Sequence, residues 1–236
     1  MYYISNRSPL PESSVIVRGK NLVPQVYQIL YKSIISLWLK PGQPLREKEI
    51  CKQLQISRTP VREALLKLAD ERLIVILDRS GTYVSRINIE DVKESQFIRE
   101  SMETATVRYA VRNWNTDLSE KLSLLLEQQK QCVKDDNRLR LYELDDMFHK
   151  TIVEFRFSSR IWKIINNAKA QMDRVRILAM PLPRTAAEIV EEHSRIYEAI
   201  CSGNETQAVD AMSFHLNTVF TSLEQLLEKH HEYFEE

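Results

Sequence analysis

The sequence predicts a mainly α fold, with an N-terminal winged helix-turn-helix followed by an all-α antiparallel helical bundle. Three observations predict it. The 236 residues contain 4 glycines, too few for a sheet-rich fold dense in tight turns. Apolar residues recur at spacings of three and four along most of the chain, the period of helices that bury one face. That period breaks at Leu73-Ile74-Val75-Ile76-Leu77, Asp78-Arg79-Ser80-Gly81 and Thr82-Tyr83-Val84, which read as strand, turn and strand of a β-hairpin.

The elements follow in order. Residues 1–19, mostly polar and carrying two prolines, are expected to form a flexible arm. A helix is expected over 24–39, with Pro24 in its first turn, an apolar stripe of Val26, Ile29, Leu30, Ile34 and Leu37, and Pro41-Gly42 as its stop. A short helix over 47–54 buries Ile50 and Leu54. The next helix is expected to use Thr59 as its cap and Pro60 in its first turn, burying Val61, Ala64, Leu65 and Leu68. Three helices and a hairpin make residues 20–87 a winged helix-turn-helix. Residues 88–236 read as helices near 89–113, 116–135, 137–156, 158–180, 185–202 and 205–232. Short connections make them antiparallel neighbours. Asn88 with Asp91, Thr185 with Glu188, and Asn204 with Gln207 resemble reciprocal N-caps.

The formal net charge is +0, yet it is unevenly spread. Val17 to Ile87 holds 13 cations and 6 anions, a net of +7, so the rest of the chain carries −7. One basic module beside an acidic one is the asymmetry expected when a single module meets nucleic-acid phosphates. The 3 cysteines are scattered and unpaired in pattern, which fits reduced thiols and a cytoplasmic location. No segment approaches the roughly 20 apolar residues of a membrane span, and the first residues lack the pattern of a secretory signal.

The stretch Ile56-Ser57-Arg58-Thr59-Pro60-Val61-Arg62-Glu63-Ala64-Leu65 carries the most information. The second helix of a helix-turn-helix presents its N-terminal residues to the major groove. Its free N–H groups also form a phosphate site. Arg58 and Arg62, four apart, project from one turn, and each guanidinium fork matches a guanine edge or a phosphate. A solvated face with Arg58 and Arg62 paired to Glu63 or Glu71 is the plainer alternative.

These residues, with Pro41-Gly42-Gln43-Pro44-Leu45 and Gly81-Thr82-Tyr83-Val84, resemble the DNA-binding half of the GntR family of bacterial regulators. Carried over residue by residue, the resemblance implies DNA contacts from Lys48, Ser57, Arg58, Thr59, Arg62 and Gly81 at the wing tip. Gln55 departs from the family, which favours Gly in the turn before the recognition helix. A side chain there demands either a strained positive φ or a different turn.

Of the 5 histidines, His230 and His231 look like exposed residues near the carboxyl end. His149, His193 and His215 each fall on the apolar stripe of a separate helix. A lone histidine on such a stripe is more often a hydrogen-bonded core residue. Three of them, with Asp145 one turn before His149 on the same face, suit a divalent transition metal such as Zn or Ni with open positions. Asp146 is the alternative acid, one step round the helix toward Tyr142 and Lys150.

Asp145-Asp146-Met147-Phe148-His149, Glu192-His193 and Phe214-His215-Leu216 further resemble the FCD effector domain of the FadR branch of the GntR family. In metal-binding members the ligands are one Asp and three His, here Asp145, His149, His193 and His215. Within the family the likeness is to regulators of sugar-acid dehydratase and dehydrogenase operons. The resemblance implies a small carboxylate effector, one end on the metal and the other clamped by an arginine. Arg99 and Arg174 are the candidates, with Arg176 another. One winged helix reads only a few base pairs, so a homodimer on a palindromic operator of double-stranded DNA is expected. Two rivals stand beside this reading: a metal-dependent hydrolase, for which no H-E-x-x-H motif or assignable base is found, and a DNA-binding protein with a purely structural metal.

Overall fold

The computed structural model of the protein describes residues 8–182 and 186–235. Asn21 opens α1 (Leu22–Ile35) by accepting from the Val23 amide. The helix ends short of residue 39 because Leu37 takes a φ of 58°, and the Leu39 amide folds back to the Ser33 carbonyl at 2.9 Å. A two-residue strand absent from the sequence expectation follows, β1 (Pro44–Leu45).

Next come α2 (Glu47–Leu54) and α3 (Arg58–Asp70). Gln55 between them sits at φ 54°, ψ 45°, so the turn keeps the left-handed geometry and accepts a side chain there, at about 1–2 kcal/mol of strain. The cap of α3 is Ser57, not Thr59, which lies with Pro60 inside the first turn. Pro60 is tolerated there because the first four amides of a helix have no partner within it. The wing is β2 (Ile74–Leu77) and β3 (Gly81–Val84), paired antiparallel with Ile76 opposite Thr82. On its other edge β3 pairs with β1, Leu45 opposite Thr82, giving the order β1-β3-β2.

Leu30, Ile34, Ile50, Val61, Leu65, Leu68 and Val84 are buried in the core of this head. Leu10, from the segment expected to be loose, is fully buried among them. Gln53 holds it in place, accepting from the Leu10 amide and donating to the Leu10 carbonyl, each at 2.9 Å.

The bundle contains α4 (Ile89–Arg112), α5 (Thr116–Lys134), α6 (Arg138–Glu154), α7 (Ser159–Ala168), α8 (Ala170–Ala179), α9 (Ala186–Cys201), α10 (Glu205–Asn217) and α11 (Leu223–Lys229). Asn88 caps α4 and Asn204 caps α10, accepting from Asp91 N and Gln207 N as the spacing predicts. The Thr185 cap lies outside the described residues. Two expected helices are each divided. The 158–180 segment breaks at Lys169, where Ser95 Oγ donates to the Ala168 carbonyl across the bundle at 2.6 Å. The last segment passes through a 3₁₀ turn at Thr218–Ser222 before α11, and the tail then pairs with the interdomain linker, Ile87 N donating to Tyr233 O at 2.8 Å.

The bundle core gathers Val107, Leu122, Leu126, Leu144, Phe148, Ile196 and Met212. α8 serves both halves: Ala170 is buried in the head's core, whereas Met172, Val175 and Leu178 pack with Ile87 and Val92. No helix among the described residues is long and apolar enough to cross a membrane.

Candidate functional site

In the head, Lys48, Ser57, Arg58, Thr59, Arg62 and Gly81 are all exposed. Ser57 has extended backbone and its hydroxyl makes no capping bond, so it stays available at the mouth of α3. Arg62 pairs with Glu47 on α2 at 3.1 Å, and not with Glu63 or Glu71. Glu71 instead accepts from Tyr27 Oη at 2.6 Å. Gly81 carries a φ of 120°, a conformation a side chain would strain, which keeps the wing tip bare.

In the bundle, α6, α9 and α10 bring Asp145, His149, His193 and His215 together, with one ligand atom from each inside a 4.8 Å span. Asp145, His149 and His193 are exposed by no more than 3% and His215 by 6%, so bulk water covers little of the donor set. The Nε2 atoms converge: His149 to His215 is 3.0 Å and His193 to His215 is 3.2 Å. Asp145 Oδ1 lies 3.5 Å from His193 Nε2 and 3.8 Å from His215 Nε2.

The far nitrogens explain the convergence. His193 Nδ1 is 2.8 Å from Gln129 Oε1, whose amide nitrogen is fixed on the Leu144 carbonyl at 3.1 Å. His215 Nδ1 is 2.7 Å from Glu192 Oε2, and His149 Nδ1 lies 2.5 Å from Glu103 Oε2. The acceptors behind His193 and His215 favour a proton on Nδ1 and a lone pair on Nε2, whereas His149 Nδ1 and Glu103 Oε2 are close but complete no hydrogen bond. Lone pairs that meet at this distance repel one another unless a proton or a cation lies between them. The donor set therefore fits a divalent transition metal held by one carboxylate and three imidazoles. Phe148 stacks on His193 with centroids 4.5 Å apart, fixing that ring.

Electrostatics prepare the same state. Burial lowers the His193 pKa to about 4 against the pull of Asp145, and burial lowers His215 as well, aided by the neighbouring histidines. Both imidazoles are then neutral near pH 7. Burial, the largest single influence, would raise Asp145, but Arg176 together with His193 and His149 overcomes it and holds the carboxyl well below its ordinary range. Burial, the largest single influence, likewise opposes the Glu103 carboxylate, and Arg99 at 2.6 Å together with His149 overcomes it and brings the pKa to about 2.

A cavity of about 110 Å³ opens beside the cluster, walled by Arg99, Arg138, Tyr142, Asp145, Arg176 and His215, with Leu141 and Val219 on its apolar side. Arg99 Nη2 is buried and meets no acceptor. Arg176 spans Asp145, Asp146 and Asp173. Arg174, expected at the effector, faces away. Its guanidinium donates to the Ser85 carbonyl at 2.6 Å, the Arg86 carbonyl at 3.3 Å and Gln171 Oε1. The helical rotation between the two positions leaves Arg174 on the linker and Arg176 on the cavity. Asp146, the alternative acid, turns to Lys169 at 2.8 Å and to Arg176, not to Lys150.

Glu103, Gln129 and Arg138 were not singled out by the sequence as functional. Glu103 left a signal, four residues after Arg99 on the same face. Glu192 left another, adjoining His193. Gln129 and Arg138 left none, since polar residues at such positions are ordinary.

Comparison with known proteins matches both halves of the fold. Residues 22–84 match the model for "Bacterial regulatory proteins, gntR family", and residues 94–218 match the FCD domain. The HTH-type transcriptional repressor RspR of Escherichia coli (strain K12) is 32% identical over 212 residues, covering 90% of this chain and 93% of that one. The gluconate operon transcriptional repressor of Bacillus subtilis (strain 168) is 28% identical over 198 residues, 82% of this chain and 81% of that one. The solved structure of E. coli McbR/YncC superposes with a TM-score of 0.75 at 22% identity, covering 87% of this chain and 98% of that one. A GntR regulator from Rhodococcus sp. RHA1 superposes at 0.68 and 22%, covering 86% and 97%.

Proposed function

The chain belongs to the GntR family of bacterial transcriptional regulators, with an FCD effector domain, and from that premise we propose that it is a repressor whose operator binding responds to a small carboxylate held at a metal site in the bundle. The family is one of regulators and not of enzymes, which sets the hydrolase reading aside. The observation that carries the proposal is the meeting of three imidazole Nε2 atoms and one carboxylate beside a cavity whose wall presents an unsatisfied arginine donor, Arg99 Nη2.

A divalent transition metal there would be held by Asp145, His149, His193 and His215 and would supply Lewis acidity toward a carboxylate. Arg99 then offers Nη2 to the ligand while its Nε stays on Glu103, and Arg138 and Arg176 add positive charge to the wall. Sugar acids fit this chemistry, with a carboxylate at one end and hydroxyls along the rest. The name of the gluconate operon repressor points the same way.

DNA recognition is assigned to Lys48, Ser57, Arg58, Thr59 and Arg62 with Gly81 at the wing, in a homodimer reading a palindromic operator. The link between site and head is supported by α8. Arg176 on this helix binds Asp145, Arg174 holds the linker carbonyls, and Gln171 Nε2 binds the Arg72 carbonyl just past the recognition helix at 2.8 Å. Any ligand that favours one placement of α8 over another biases the heads by its difference in affinity for the two.

The test is metal analysis with DNA-binding titrations in the presence of gluconate and related sugar acids, before and after chelation. Wild-type protein is expected to carry close to one divalent ion per chain and to change its DNA affinity with a sugar acid. His193→Ala is expected to lose the ion and the response while keeping basal DNA binding. Full metal occupancy in that variant removes His193 from the site. A response that survives chelation makes the metal structural.

A further inference from the structure

We propose that the N-terminal segment is a second, preorganised DNA-contacting element, in which Arg18 and Lys20 bind backbone phosphates beside the recognition helix. The inference rests on the assignment of α3 as the helix that faces DNA. It concerns residues outside the set assigned to DNA recognition, and its observations are independent of them.

The segment is anchored at both ends. Leu10 is fully buried in the head's core and is bracketed by Gln53, which also donates to the Pro11 carbonyl at 3.4 Å. Further along, Gln25 accepts from Val17 N at 2.8 Å and donates to Val17 O and Asn21 O, both at 3.1 Å. Beside the second anchor the chain passes the turn of the helix-turn-helix. Arg18 Nη2 lies 3.5 Å from Gln55 Oε1, two residues before the cap of α3. A cleft of about 510 Å³ separates segment from turn, bordered by Arg18, Lys20, Gln53, Gln55 and Ile56. Both cations are therefore delivered to the flank of the recognition-helix N-terminus by packing, so binding does not require a loose arm to be ordered at a cost of about 1–2 kcal/mol per residue.

Charge completes the case. No acidic residue occurs between Ser13 and Arg46, and neither Arg18 nor Lys20 forms an ion pair among the described residues. Both are exposed. Arg62, by contrast, is already paired with Glu47. Cations held without a counter-charge at the rim of a groove-reading helix match the polyanionic backbone rather than the base edges, because phosphate contacts position and base contacts specify.

Phosphate neutralisation is read directly from salt dependence, and needs no knowledge of the operator. Full-length protein is titrated against a random-sequence duplex over a range of salt concentrations. Arg18→Ala/Lys20→Ala is expected to make the slope of log affinity against log salt shallower by roughly 1.8 per protomer, about 0.9 for each phosphate no longer neutralised. Arg18→Lys/Lys20→Arg is expected to keep the wild-type slope. Lys134→Ala/Lys150→Ala, which removes the same charge from the bundle, is expected to leave the slope unchanged. Arg58→Ala/Arg62→Ala tests the underlying face assignment. If that pair weakens binding while Arg18→Ala/Lys20→Ala leaves the slope at the wild-type value with an unaltered melting temperature, the arm proposal is overturned alone. If neither pair matters, the assignment of α3 falls with it.

Discussion

The head and the bundle use arginine–glutamate pairs in opposite ways. Arg62 and Glu47 in the head are 63% and 29% exposed, whereas Arg99 and Glu103 in the bundle are 3% and 1% exposed. The first pair is a transient arrangement that water screens and a phosphate can displace. The second is sealed: neither charge can be removed without stranding the other, and the Glu103 carboxylate also backs a metal-site histidine. The difference follows from what each region is proposed to bind. A DNA reader meets a large polyanion on its outside, so its cations must be solvated and free to exchange. A small-molecule site must hold polar groups in fixed positions in a dry interior, so every charge there needs a counter-charge of its own.

The largest expected effect tests that contrast directly. Glu103→Ala is expected to destabilise the fold by about 3–5 kcal/mol in urea unfolding, because it leaves Arg99 buried and uncompensated. An Arg99→Met/Glu103→Leu double variant is expected to recover most of that stability. A single-variant effect below about 1 kcal/mol would mean that water reaches the pair, and the contrast would fail.

Next in size, Arg58→Ala is expected to weaken operator binding by about 1–3 kcal/mol per half-site, the worth of one well-made base contact, with an unchanged melting temperature. Preserved affinity in a titration at physiological salt breaks the recognition-helix assignment. Glu192→Gln keeps the size of the side chain but weakens the acceptor behind His215. It is expected to lower metal affinity by roughly 10- to 100-fold, read by competition with a chelator of known affinity. Unaltered affinity would show that the His215 tautomer is set by something other than Glu192. The smallest effect closes the comparison. Glu47→Ala, which frees Arg62, is expected to change stability by less than about 1 kcal/mol and to strengthen DNA binding slightly; weaker binding would give Glu47 a positioning role.

The two regions also differ in how much of them can be read in advance. The helix-turn-helix head was legible because its information is local. A capped helix start, two arginines four apart and a hairpin soon after depend on backbone spacing alone, and the structure moves the cap by only two residues, to Ser57. Of the buried cluster, Asp145 and the three histidines were legible because each lay on an apolar face where a polar residue is out of place. Their partners were not. Gln129 meets His193 and Glu103 meets His149 across long stretches of sequence; nothing on α5 marks Gln129 as different from an ordinary helix residue, and the spacing of Glu103 from Arg99 points to an ion pair but not to His149. Arg174 and Arg176 show the same limit. Both are arginines on one helix, two residues apart, and which of them reaches the cavity depends on the break at Lys169, which the Ser95 hydroxyl helps to set from α4.

By itself the sequence determined the order of the main helices and the wing, the location of the basic head, and the four residues that meet in the buried cluster, since hydrophobic period, capping chemistry and charge are properties of neighbouring residues. Only the tertiary structure decided which nitrogen of each imidazole faces inward, which arginine lines the cavity, and that Leu10 pins the N-terminal segment against the head. Those outcomes rest on contacts between residues distant along the chain, where the energy of a pairing depends on what surrounds it once water has been excluded.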